Sequence, residues 1–212
     1  MTPIFYPAFI LRTKSPLLSN SGVLSGHFIV ISALKKLLLN YCNMAKPSPS
    51  THPSYFERYI SLVPEEDLNT AFRQQSLVLT KFLYSINEEK SAHTYAPDKW
   101  TIKELMQHMI DTERIFSYRS LCFARKDPNS LPGFDENNYA ANSNANLRHW
   151  KDLADEFLLV RKSTEILFHS FTEEALNNSG TANNNPATAL SMGFTAIGHV
   201  YHHMNVLKEK YL

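Results

Sequence analysis

The chain has 212 residues, 43 % of them hydrophobic, which is enough for one domain with a real core, and its formal charge is +1 at pH 7. Residues 1–44 hold Arg12, Lys14, Lys35 and Lys36 and no acid, leaving 17 basic against 20 acidic residues in the remainder. A body near −3 with no basic stripe argues against nucleic acid as the main partner.

The cysteines, Cys42 and Cys122, make neither a disulfide framework nor a CxxC ligand pair, so a reducing, cytoplasmic setting is expected. The longest apolar run of the leader, HFIVISAL at 27–34, is far short of the ~20 residues that a membrane span needs, so no membrane partner is expected. Lys35 and Lys36 follow it with no clean small-residue cleavage site, which disfavours a signal peptide. An acid-free, serine-containing leader fits an organelle transit segment, but a single arginine is weak support. The plainer reading is a poorly ordered extension, or a natural start at Met44.

Helix signals dominate after the Pro/Ser stretch AKPSPSTHPS (45–54). The segment 64–86 opens with Pro64 and three acids, as helix N-termini do, and Leu68, Phe72, Leu79 and Leu83 recur at helical spacing. A break through EEKSAHTYAPDKW contains Pro97. Thr101 and Glu104 then form a capping box that starts a second helix over 101–126. A third is expected near 147–170, with Leu153, Phe157, Val160 and Leu167 on one face, and a fourth over roughly 187–209. No stretch alternates like a strand and there is no internal repeat, so the expected fold is an all-α four-helix bundle over residues 45–212.

The loop 127–146, DPNSLPGFDENNYAANSNAN, is much longer than the usual 2–8 residues between antiparallel neighbours. A loop of that length carries the chain across the bundle and leaves helices two and three parallel, which gives an up-down-down-up order. Long loops of this kind serve as lids or walls, and this one holds Phe134, Asp135 and Tyr139.

Three histidines crowd the segment GHVYHHMNVL (198–207). His199 and His203 are four apart, hence on one helical face, while His202 is turned roughly 100° from His203. Two imidazoles one turn apart suit one divalent ion, with a third ligand from another helix completing an open site. The pair alone is equally an ordinary polar helix face. His108 supplies the candidate third ligand: seven residues beyond Thr101, it lies about 10 Å into the second helix. His203 lies about as far from the end of the fourth. Antiparallel packing of the two helices would bring these histidines to one level, with His199 one turn deeper. A lone core histidine satisfied by a neighbour is the competing reading of His108.

The stretch YAPDKWTIKELMQHMIDTERIFSYRSLCFARKDPNSLPGFDENNY, with SGTANNN (179–185) and GHVYHHMNVLKEKYL, resembles the DinB/YfiT-like superfamily of small metal-binding helical bundles. The similarity runs from about Tyr55 to Leu212 and leaves the first 44 residues uncovered. The resemblance implies an up-down-down-up bundle with one metal held by three histidines, which fall by position on His108, His199 and His203. His202 is then the neighbour that does not bind. Zinc and nickel both suit imidazole. Relatives include transferases that use low-molecular-weight thiols, which favours a metal-held thiolate as nucleophile over metal-assisted hydrolysis; both remain open. Relatives also form homodimers, so a homodimer is an expectation here.

Supporting roles divide two ways. Glu104 could accept the second N–H of His108 or serve the capping box alone. Asp111 and Glu113 are candidates for a general base, or part of a solvated face. Asn205, beside the histidines, is equally open, and Cys122 reads as a small buried hydrophobe rather than a nucleophile. Arg119 and Arg125 suit a substrate carboxylate or plain surface charge. The competing function class is a non-enzymatic, metal-binding stress-related bundle, and a histidine set sealed in a core without a cleft would favour it. A third reading has no metal at all.

Overall fold

The structure, a computed structural model, describes residues 44–212. The expectations for residues 1–43, including the transit segment and Cys42, lie outside the described residues. In chain order the elements are α1 (Ser54–Ile60), α2 (Leu68–Tyr84), α3 (Glu88–Ser91), α4 (Ile102–Ala124), α5 (Glu136–Asn142), α6 (Trp150–His169) and α7 (Glu173–Asn177). The hairpin β1 (Ser179–Ala182) and β2 (Asn185–Thr188) follows, then α8 (Ala189–Val206), which widens into a π-helical turn over Leu207–Tyr211.

Helix starts follow their caps. Thr101 and Glu104 form the anticipated capping box, Thr188 and Ser191 form another, and both remove orphan N–H groups from the first turn. The helix expected from Pro64 begins instead at Leu68, because Asp67 turns its carboxylate onto the Thr70 N–H at 2.8 Å and acts as the N-cap.

Side-chain contacts fix the directions of the four long helices. Phe72 near the start of α2 meets Phe168 near the end of α6, and the Trp150 indole N–H donates to the Leu83 carbonyl at the other end, so α2 and α6 are antiparallel. Lys103 donates to the Arg148 carbonyl and Arg114 pairs with Glu156, so α4 and α6 are parallel. The Tyr211 hydroxyl donates to the Trp100 carbonyl, bringing the start of α4 to the chain end that follows α8. These contacts give the up-down-down-up bundle.

The core divides into two apolar clusters. One gathers Phe72, Phe123, Phe168 and Phe194; the other gathers Leu79, Leu83, Met106, Phe157 and Met204. Between them α6 departs from the expected pattern. Val160 and Leu167 are only partly buried, whereas Arg161 is 2 % exposed and pairs with the equally buried Glu113 at 3.0 Å. Arg161 also reaches the Ala196 carbonyl, and the Gln75 amide donates to the Ile197 carbonyl at 2.8 Å. Two neighbouring helices are thereby tied to α8 just ahead of His199.

The expectation of no strands is corrected by the short hairpin. Asn183 and Asn184 both take left-handed backbone, φ 49° and 61°, which asparagine tolerates and a two-residue hairpin turn requires. Leu131 pairs with its edge through N–H to the Thr181 carbonyl and carbonyl to the Asn183 N–H, pinning the crossover loop. No helix among the described residues is long and apolar enough to cross a membrane.

Candidate metal centre

α4 and α8 cross so that His108, His199 and His203 converge. The Nε2 atoms of His108 and His199 are 3.2 Å apart, those of His203 and His199 3.0 Å, and all three histidines offer nitrogens within 4.8 Å of one another. Tetrahedral ligands at the usual Zn–N length sit about 3.3 Å apart, so the donor set fits a divalent ion of that size. His202 lies outside this set, with its ring against Tyr59 at 5.6 Å.

The surroundings favour neutral imidazole. Trp100 packs on His108 at 5.0 Å, and Tyr59 and Phe116 meet His199 edge-on at 5.5 and 5.8 Å. Burial pushes the His108 pKa down to about 4, with charge on His202 adding to it. Burial likewise holds His199 and His203 well below the ordinary value, reinforced by their histidine neighbours. Three neutral rings present lone pairs to a cation without prior loss of a proton. On the far side of the rings, His108 Nδ1 faces the Thr112 hydroxyl at 3.5 Å, and His203 Nδ1 is buried without a hydrogen-bond partner among the described residues.

Other expected site residues sort by geometry. Glu104 Oε2 accepts the Thr101 N–H at 2.7 Å, so this carboxylate serves the capping box. Glu113 is no solvated residue: it is 2 % exposed and held by Arg161. Asp111 accepts from the Gln107 amide at 2.9 Å, and half-burial raises its pKa. Asn205 is exposed, Arg125 lies over the Phe171 ring, and Cys122 is a buried free thiol. In the crossover loop, Asp135 caps α5, and Tyr139 packs on Phe134 at 5.2 Å.

A cavity of about 130 Å³ opens beside the cluster under the crossover loop, and His199 is part of its wall. Thr112, Phe116 and Arg119 of α4 line it, with Gly133 and Phe134 of the loop and Asn183 at the hairpin turn. The cluster therefore reaches this cavity through His199. A further part of the wall comes from Tyr55, Phe56 and Tyr59 of α1, an element absent from the sequence reading. Seven residues are too few for a periodic apolar pattern to stand out, although Pro53 at its start and Tyr55 and Tyr59 four apart were the available signal. α1 comes this close because Gly198 has no side chain: a Cβ there would lie 2.0 Å from the Tyr59 carbonyl oxygen.

Comparison with solved structures finds YfiT from Bacillus subtilis, described as a probable metal-dependent hydrolase with an unusual four-helix bundle topology. The two share 12 % sequence identity at a TM-score of 0.57, over 77 % of this chain and 90 % of YfiT, a likeness of fold. No match is found among curated proteins. A family model described as the DinB superfamily matches residues 51–207, a span that includes all three converging histidines, and the chain belongs to that superfamily.

Proposed function

We propose that this protein is a metal-dependent enzyme in which His108, His199 and His203 hold one divalent ion, zinc or nickel, and which joins a small thiol to an electrophilic substrate. The observation that carries the reading is the convergence of three imidazole nitrogens beside an open cavity. When bound, the ion supplies Lewis acidity that lowers the pKa of a thiol or water it touches. His199 presents this centre to the cavity, the aromatic residues around it exclude bulk water, and the crossover loop closes one side. Among the described residues the one carboxylate lining the cavity is Glu136, exposed at its rim. Either nucleophile then forms without a buried general base, and transfer is favoured by the sequence's resemblance to thiol-using transferases. A low-molecular-weight thiol as co-substrate also suits a reducing cytoplasm.

Hydrolysis is the second reading, favoured by the description of YfiT. Metal content by elemental mass spectrometry, followed by assays of a generic electrophile with and without small thiols, tests both. Stoichiometric metal and thiol-dependent loss of electrophile support transfer, whereas a hydrolysis product formed without thiol replaces it by the second reading. No metal after reconstitution with zinc and nickel ends both.

A further inference from the structure

Arg119 stands out among the charged residues of the cavity. It is 7 % exposed, and the one bond its side chain makes within the described residues runs from Nη2 to the Pro132 carbonyl at 2.8 Å. No carboxylate among the described residues neutralises it. A guanidinium carries five N–H donors and is costly to desolvate without an anion. Its burial also lowers its pKa, as expected of a cation short of compensating charge.

Position adds to this. His108, Thr112, Phe116 and Arg119 follow one another at spacings of four, four and three along α4, and so share one face. Arg119 begins about 16 Å along the axis from His108, and long helical side chains lean back towards the N-terminus. Between Arg119 and His199 the cavity is walled by the rings of Tyr55, Phe56, Tyr59, Phe116 and Phe134, together with polar side chains of α4 and the hairpin. Glu136 is exposed at the rim and its charge is solvated, whereas that of Arg119 is buried.

We propose that the cavity takes a small carboxylate with an apolar, ring-sized body, its carboxylate held by Arg119 and its body lying between the aromatic walls towards His199. Arg119 is the specificity-determining anchor, and the assignment of substrate class rests on the enzymatic reading above. Binding itself does not require the metal, so the two can fail separately.

The test is calorimetric titration of benzoate and benzamide into the protein as purified, into chelator-treated protein, and into Arg119→Gln, Arg119→Lys and His203→Ala. Benzoate is expected to bind at least tenfold more tightly than benzamide in the unmutated protein with or without metal. The preference should be lost in Arg119→Gln, partly kept in Arg119→Lys, and kept in His203→Ala. Equal binding of the two probes, or none, overturns the proposal. So does a preference that survives Arg119→Gln but disappears with the metal, because the carboxylate would then be binding the ion. If Arg119→Gln fails to fold, as judged by circular dichroism, Arg119→Lys and the benzamide comparison still decide the matter.

Discussion

His108 and His199, 91 residues apart in the chain, bring their Nε2 atoms to 3.2 Å, and the Nε2 of His203 lies 3.0 Å from that of His199. Two neutral imidazoles can share one proton across such a gap, but each Nε2 carries either one N–H or one lone pair, so that of His199 cannot pair with both neighbours by hydrogen bonding alone. A cation answers the geometry better. Zinc added at about one hundred times its Kd should stabilise the fold by about 2.7 kcal/mol. Thermal melting should show that rise in the unmutated protein and in His202→Ala, but not in His108→Ala, His199→Ala or His203→Ala. A rise that depends on His202 would misassign the ligands.

The metal-free protein should lose stability in acid. Unfolded histidine takes up a proton near pH 6.5, whereas folded His108 resists down to about 4, and His199 and His203 are shifted in the same direction. The unfolded chain then binds more protons, so folding free energy falls as pH drops from about 6.5 towards 4. Each such histidine contributes a slope of up to about 1.4 kcal/mol per pH unit. Urea midpoints measured across that range should fall more steeply in the unmutated protein than in His108→Ala. Parallel slopes would contradict the burial argument.

The Glu113–Arg161 pair bridges α4 and α6 inside the core, where removing one partner strands a charge. Glu113→Gln should therefore destabilise by about 3–5 kcal/mol in urea unfolding. The double replacement Glu113→Leu/Arg161→Met should recover much of that loss. A single-variant effect below about 1 kcal/mol would mean that buried water already compensates the pair.

Gly198→Ala tests how α1 is held. Alanine gains about 1 kcal/mol in helix propensity, but its Cβ meets the Tyr59 carbonyl at 2.0 Å and backbone must shift. Net destabilisation is expected in urea unfolding, with faster proteolysis near Tyr55–Tyr59 as α1 loosens. A more stable variant would show that α1 moves aside at little cost.

The sequence by itself determined the four long helices, the long crossover and the histidine pair, because each rests on local rules. Thr101 with Glu104 marks a helix start, Leu68, Phe72, Leu79 and Leu83 repeat with the helical period, and His199 and His203 share a face by their spacing. Tertiary structure decided everything that depends on distant partners. It turned Glu113, open in the sequence as a candidate base or part of a solvated face, into half of a buried pair, since Arg161 takes the core position that an apolar pattern assigns to its neighbour Val160. It spent Glu104 on its cap, built a hairpin from two left-handed asparagines, and laid α1 over the site through a glycine of α8. The convergence of His108 on the pair, and the buried positive charge of Arg119 in the adjoining cavity, arise only when α4 and α8 pack antiparallel. No local pattern records which residues that packing removes from water.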